Sequence, residues 1–172
     1  MREFDQEFQE FVAARGPALL RTAYLLTGDQ QLSEDLVQTS LEKALRHWSK
    51  IKVSAATEGY VRRIMYRENI SFWRQRRSRE VPMAELPDER ESADLADAAG
   101  DRLAMRAALS RLGPRQRTVL VLRFYEDLTE AQVAREMGVA LGTIKSQTAK
   151  ALDQLRRTAP ELTPARAREE AT

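Results

Sequence analysis

The sequence predicts an all-helical protein made of two small domains joined by a linker. Apolar residues recur at helical spacing over most of the chain, which is typical of amphipathic helices. An acidic, alanine-rich stretch interrupts this pattern, and the last third has the residue spacing of a helix-turn-helix. We therefore place a three- or four-helix bundle at 1–79, a flexible acidic linker at 80–101, a helix-turn-helix domain at 102–157 and a disordered tail at 158–172.

The composition excludes several kinds of chemistry within these 172 residues. There is no cysteine, so disulfides, thiolate metal sites and a cysteine nucleophile are excluded. His47 is the single histidine, which argues against a histidine zinc site or a Ser-His-Asp triad. We predict no catalytic residue, no metal and no cofactor. No apolar run approaches the roughly 18 residues of a membrane span, and the acidic start is unlike a signal peptide. We expect a cytoplasmic protein.

The net charge of +2 is unevenly distributed. Residues 62–79 carry a net +6, residues 80–101 a net −7 and residues 102–172 a net +5. Two basic blocks separated by an acidic one indicate two contacts with a polyanion. The alternative interpretation is a set of solvated helix faces.

Two helices and a turn are predicted first. Apolar residues from Phe4 to Leu26 give helical spacing, which Gly16-Pro17 interrupts with a kink or a restart. Thr27-Gly28-Asp29 predicts a turn, and Ser33 is the expected N-cap of the second helix. The inner face of that helix is predicted to hold Leu36, Val37, Leu41, Ala44, Leu45 and Trp48.

A loop at 49–58 and a third helix at 59–77 follow. Arginines alternate with aromatic residues along this helix. Arginine neutralises phosphates and aromatic rings stack on unpaired bases, so the mixture favours melted DNA over a plain duplex. Alternatively, Ile64, Ile70 and Trp73 are core residues and the arginines are only solvated.

The linker at 80–101 contains two prolines and few large apolar residues, so it buries too little surface to offset its ordering entropy. Helical spacing then returns, and Gly113-Pro114 predicts a break with proline in the first turn of the next helix. Thr129 and Gln132 fit a capping box. Ala134 is small where two helices approach, and Gly138 suits a turn with positive φ.

The helix predicted at 141–157 has an apolar face and an opposite, basic face. At about 100° per residue, one stripe holds Ile144, Thr148, Ala151, Leu152 and Leu155. The opposite face and its flanks hold Thr143, Lys145, Ser146, Ala149 and Lys150. A short-chained, basic face fits a helix that enters a major groove. The alternative is an ordinary amphipathic hairpin.

Four short motifs stand in a characteristic order. They are Ser33–Gln38 (SEDLVQ), Leu112–Arg117 (LGPRQR), Leu122–Thr129 (LRFYEDLT) and Gly142–Ser146 (GTIKS). With the basic-aromatic helix and the acidic linker between them, they resemble the extracytoplasmic-function group of sigma-70 factors. The resemblance covers about residues 5–157 and is strongest to the actinobacterial sigma-E-type branch.

The resemblance implies an alternative sigma factor that binds core RNA polymerase, recognises and melts promoter DNA, and starts transcription. Polymerase contact, through the β′ clamp helices, would fall to Asp35, Gln38, Leu41 and Glu42. Melting of the −10 element would fall to the loop 49–58 and to Tyr60, Arg62, Arg63, Arg67, Asn69 and Arg74. Binding of the −35 element would fall to Arg123, Thr143, Lys145, Ser146, Gln147, Ala149 and Lys150.

Further implied partners are the β flap of the polymerase and an anti-sigma factor. The linker would correspond to the segment that threads the polymerase. Two departures from the family pattern affect the promoter sequence: Arg67 stands where asparagine is common, and Gln147-Thr148-Ala149 replaces bulkier, more basic residues.

Two other classes compete with this interpretation. A helix-turn-helix regulator that never touches polymerase fits the second domain but leaves the first without a purpose. An enzyme would need paired carboxylates such as Glu34-Asp35 or Asp88-Glu89. Sequence neighbours on a helix point apart, and the second pair lies in the linker.

Overall fold

The computed structural model describes residues 2–51, 55–78 and 98–162, and helices are the only regular elements among them. The chain divides into two compact units, Met1–Val81 and Pro82–Thr172. The predicted all-α fold class is confirmed.

The first unit contains three long helices, α1 (Arg2–Thr27), α2 (Gln30–Leu45) and α3 (Ala55–Ser78), and a 3₁₀ turn at Trp48–Lys50. The interruption predicted at Gly16-Pro17 is wrong, because α1 runs through it. Proline costs one backbone hydrogen bond there, and the contacts of α1 with α2 and α3 keep the helix continuous.

The predicted loop 49–58 is also too long. Residues 49 and 50 of the predicted loop belong to a 3₁₀ turn, and residues 55–58 already belong to α3. Residues 52–54 of that prediction lie outside the described residues.

The turn between α1 and α2 is confirmed, but its cap is a different residue. Gly28 has φ 72°, a left-handed conformation that suits glycine. Asp29 is the N-cap, and its Oδ1 accepts from the amide of Leu32 at 2.8 Å. Ser33 is buried one turn later, and its hydroxyl lies 2.8 Å from Thr27 Oγ1. Asp29 comes first in the chain and carries a charged acceptor, so it takes the capping role.

Trp48 anchors the core of the first unit. Its ring lies 5.0 Å from that of Phe8, edge-on, and 5.2 Å from that of Phe11. The predicted inner face of α2 is confirmed for Leu36, Ala44 and Trp48. Val37 and Leu41 are half-buried. Leu45 was predicted wrongly: it is 37% exposed at the last residue of α2, where Trp48 fills the core instead.

Among the described residues of the second unit, 98–162, there are four α-helices. They are α4 (Ala98–Ser110), α5 (Pro114–Leu120), α6 (Glu130–Met137) and α7 (Leu141–Thr158), with a π-helical segment at Val121–Tyr125 and a 3₁₀ turn at Pro160–Leu162. Pro114 lies in the first turn of α5, as predicted. The core includes Val119, Leu122, Val133, Ile144 and Leu155, each at most 2% exposed.

Two predicted boundaries need correction. Residues 98–101, assigned to the linker, already form the first turn of α4. Residues 158–162, assigned to the tail, are ordered, and Ala159 is only 6% exposed. The rest of the predicted linker and tail lies outside the described residues.

The π-helical segment has no counterpart in the predictions. The amide of Glu126 donates to the carbonyl of Val121 at 3.0 Å, and Asp127 follows with φ 55°. Aspartate tolerates this left-handed region better than most residues. The chain thereby turns from the core helices toward the start of α6.

Candidate nucleic-acid interface

The turn between α6 and α7 has the predicted geometry. Thr129 Oγ1 accepts from the amide of Gln132 at 3.2 Å, and Gln132 Oε1 accepts from the amide of Thr129 at 2.8 Å, which completes the capping box. Gly138 ends α6 with φ 66° and ψ 36°. Ala134 and Ile144 are both buried. The predicted helix-turn-helix is confirmed.

The faces of α7 are as the periodicity predicted. The buried residues are Ile144, Thr148, Ala151, Leu152 and Leu155. The exposed candidates are Thr143, Lys145, Ser146, Ala149 and Lys150. Gln147 is half-buried at the boundary between the faces. Two lysines among short side chains give a face that approaches a polyanion closely.

The start of α7 differs from the start of α6. Ala140 is its N-cap and makes no side-chain capping bond. The first amides of a helix have no intrahelical partner and carry the positive end of the helix dipole. The N-terminal end of α7 therefore presents amides beside Thr143 and Lys145, on the helix that carries the basic face.

Arg123 was predicted as a DNA contact. In the structure its side chain is buried and does not extend outward to where a phosphate would lie. It is only 4% exposed, and its Nη1 donates to the carbonyl of Leu128 at 3.0 Å. Its guanidinium carbon also lies 5.3 Å from the ring centroid of Phe124. Arg123 thus holds the loop that precedes α6, and it lines a shallow depression together with Thr129 and Lys145.

A basic stripe runs along α3. Arg63, Arg67 and Arg74 are exposed and Tyr60 is half-exposed. At 100° per residue these four side chains fall within about 60° of one another, opposite the buried residues of the helix. We call Tyr60, Arg63, Arg67 and Arg74 the α3 stripe. Its spacing of three, four and seven residues brings the four predicted contacts onto one surface.

Two other candidates on α3 belong to the interior. Asn69 is 1% exposed, and its Oδ1 accepts from the indole Nε1 of Trp73 at 3.2 Å. Asn69 therefore packs inside the first unit, and its predicted base contact stays a prediction. Arg62 donates to Glu58 Oε1 at 2.7 Å and to Thr22 Oγ1 at 3.0 Å, and so ties α3 to α1. The side chain of Arg62 thus forms an internal bridge, and its predicted DNA contact stays a prediction.

The predicted polymerase contacts lie on the outer side of α2. Asp35, Gln38 and Glu42 are exposed and Leu41 is half-buried. Gln38 donates to Glu42 Oε1 at 3.1 Å, one helical turn away. The structure therefore brings the four candidates onto one helix, and its outward side chains are acidic and amide groups.

Phe72 is one of the aromatic residues of the basic-aromatic helix but was not among the predicted site residues, and it is 39% exposed. Together with Asp35 and Glu68 it lines a groove between α2 and α3. At 100° per residue Phe72 lies in the same stripe as the buried Val61 and Met65, so periodicity alone gave no signal of its exposure. Lys43 pairs with Glu68 beside this groove and ties α2 to α3.

The described residues contain no group of three or more histidine, cysteine, aspartate or glutamate side chains placed to hold a metal ion. Within the same ranges, no helix is both long and apolar enough to cross a membrane.

Comparison with known proteins assigns both units. The family model for sigma-70 region 2 matches residues 11–79, and the model for sigma-70 region 4 matches residues 108–157. The RNA polymerase sigma-E factor of Streptomyces coelicolor is 37% identical over 150 residues, which cover 87% of this chain and 84% of that protein. The ECF RNA polymerase sigma factor SigL of Mycobacterium tuberculosis is 33% identical over 151 residues, which cover 84% of each.

A solved structure is similar as well. The sigma factor RpoE from Bartonella quintana, crystallised with the anti-sigma factor NepR, matches with a TM-score of 0.62 and 27% identity. The match covers 88% of this chain and 96% of that one.

Proposed function

This chain belongs to the extracytoplasmic-function group of the sigma-70 family, and on that premise we propose how its two units divide the work. It is an alternative sigma factor that binds core RNA polymerase and acts with it at promoter DNA. In the proposal the polymerase performs the chemistry, in the cytoplasm, and this chain contributes binding alone. The exposed, basic face of α7 is the observation that carries the assignment of DNA contacts.

The second unit binds the −35 element through α7. Lys145 and Lys150 pair with phosphates or guanine edges, and Thr143 and Ser146 hydrogen-bond to either. These side chains are exposed and take no part in the core, so they are available to DNA at no cost in folding. The half-buried Gln147 contributes at the edge of the same face.

The first unit opens the −10 element through the α3 stripe. Three arginines on one surface neutralise the phosphates of the separated strand, and Tyr60 offers a ring for stacking on an unpaired base. Binding that favours the open strand over the duplex shifts the equilibrium toward the melted promoter. This assignment leaves out Arg62 and Asn69, whose side chains serve the interior.

Polymerase docking is assigned to α2, through Asp35, Gln38, Leu41 and Glu42. Three of the four are exposed and share the outer side of the helix. The β flap is the proposed contact of the second unit. Neither DNA contact has to be tight alone, because the polymerase holds both units and raises their effective concentration at the promoter.

An anti-sigma factor is a further proposed partner. The similar sigma factor from Bartonella quintana was crystallised with one. An inhibitor of this kind would compete with core polymerase for α2 and conceal the α3 stripe until a signal releases it.

The deciding experiment is transcription in vitro from fragmented genomic DNA, with bacterial core polymerase in the presence and absence of the protein. We expect discrete new start sites only when the protein is present, and their upstream sequences give both promoter elements. A binding assay with core polymerase runs in parallel. No retention on core at moderate salt, combined with sequence-specific DNA binding, would instead favour the regulator that acts without polymerase.

A further inference from the structure

Leu141 is a large apolar side chain in an unexpected place. It is the first residue of α7 and is 42% exposed, whereas Ile144, Leu152 and Leu155 of the same helix are at most 6% exposed. At 100° per residue Leu141 continues the buried stripe of α7, between Thr148 and Leu152, but at the start of the helix much of its side chain stays exposed. Its position is therefore open to a role in binding.

The surroundings of Leu141 are those of the DNA-binding face. Lys145 lies one helical turn further along on the same side, since residues four apart are neighbours on a helix surface. Leu141, Lys145 and Thr129 line the same shallow depression. The apolar side chain thus sits at the edge of the basic face, at the end of α7 that enters the groove first in helix-turn-helix proteins.

An apolar side chain has one specific partner in a major groove. Every polar edge there needs a donor or an acceptor, which leucine lacks, and the C5-methyl group of thymine is the exposed apolar feature. Gly142 and Thr143 follow directly and are short, so they do not hold the start of the helix away from the bases.

We propose that Leu141 is a specificity-determining residue that contacts the methyl group of one thymine in the −35 element. The inference rests on the proposed function of α7 and adds a residue to it. Ala149 is the other apolar candidate on the exposed face. It lies eight residues later, about 12 Å along the helix axis, so the two side chains address different base pairs.

The test removes only the methyl group. A promoter mapped by transcription in vitro is prepared with each thymine of its −35 element, on either strand, replaced in turn by deoxyuridine. The affinity of the polymerase holoenzyme is measured for each duplex at one fixed salt concentration. With the wild-type chain we expect one substitution to weaken binding about three- to fourfold, the effect of one buried methyl group.

The variants identify the side chain responsible. Leu141→Ala should bind the thymine and deoxyuridine duplexes equally well at that position, while Leu141→Met should keep the preference. Leu103→Ala is the matched control, because Leu103 on α4 is equally exposed at 42%. It should retain the full preference. The thymine-to-deoxyuridine ratio is insensitive to any uniform loss of affinity.

Three results would overturn the proposal: no deoxyuridine duplex binds more weakly, the preference survives in Leu141→Ala, or Ala149→Gly abolishes it while Leu141→Ala does not. In each case the wild-type holoenzyme still prefers the −35 element over a scrambled sequence, so the function of α7 stands. Loss of that preference itself would instead remove both the function and the inference.

Discussion

Arg117 in α5 donates from its Nε to the carbonyl oxygen of Leu109 in α4 at 2.8 Å. Its Nη2 also reaches the carbonyls of Ser110 and Leu112, each at 3.3 Å. These carbonyls lie at or just beyond the end of α4, where the intrahelical donors run out. Burial lowers the pKa of Arg117 to about 10, which leaves the guanidinium charged near neutral pH.

Replacing Arg117 with methionine should therefore destabilise the second unit by about 2–4 kcal/mol, because several carbonyls lose a buried, charged donor. Chemical denaturation of the full chain, followed by circular dichroism, measures the change. Arg115→Met is the matched control, since Arg115 is exposed two residues earlier and should shift stability little. Equal stability of both variants would contradict the capping role.

Asn69→Ala should lower the stability of the first unit by about 1–3 kcal/mol, because a buried side chain is truncated and the half-buried indole N–H of Trp73 loses its acceptor. Denaturation followed by tryptophan fluorescence reports the loss. Arg63→Ala, on the exposed stripe of the same helix, should leave stability unchanged and weaken promoter opening. If Asn69→Ala were fully stable yet unable to open the promoter, Asn69 would be a direct base contact after all.

Arg67→Ala should impair promoter opening more than polymerase binding, because Arg67 lies in the α3 stripe and the proposed polymerase contacts lie on α2. Permanganate footprinting measures the opened −10 DNA, and a fluorescence titration measures affinity for core. Arg21→Ala, an exposed arginine on α1, serves as the control and should alter neither quantity. Equal losses in opening and in core binding would count against the stripe.

Lys145→Ala and Lys150→Ala should each weaken −35 binding without unfolding the second unit, because both side chains are exposed. Each lost phosphate contact should lower the slope of log affinity against log salt by about one. A titration of holoenzyme with promoter duplex over several salt concentrations measures it, with Arg111→Ala as the control. An altered circular dichroism spectrum for either variant would mean that the assignment of faces on α7 is wrong.

Ala140→Ser should stabilise the second unit by about 0.5–1 kcal/mol, because serine supplies the side-chain cap that α7 lacks. Ala140→Asp should stabilise it as well, yet weaken −35 binding through a negative charge near phosphate. Thermal unfolding and duplex affinity are measured for both variants. Unchanged DNA affinity in the aspartate variant would place the start of α7 away from the phosphate backbone.

The helix-turn-helix could be predicted in detail because its determinants are local. The capping box at Thr129, the left-handed Gly138 and the buried stripe from Ile144 to Leu155 each follow from short-range spacing and backbone preference. The start of α3 and the cap of α2 were misplaced by a few residues. There, neighbouring polar residues compete for the same role, and only the folded turn decides between Asp29 and Ser33.

The candidate DNA contacts were less predictable because an arginine or asparagine side chain either contacts DNA or makes hydrogen bonds inside the protein. The sequence places Arg62, Arg63 and Arg67 close together but does not reveal that Glu58 and Thr22 engage the first of them. Asn69 is buried and accepts from Trp73, and Arg123 is buried within a π-helical segment that has no sequence signature. Long-range packing decides which polar side chains remain on the surface.

The separation of the two faces of α7 bears on how such factors diversify. The buried residues that hold α7 in place and its exposed, proposed DNA contacts are different residues. Substitutions at Thr143, Ser146 or Ala149 therefore alter promoter preference with little penalty in stability. A duplicated copy of this chain would therefore be free to drift toward new promoters while its fold is preserved.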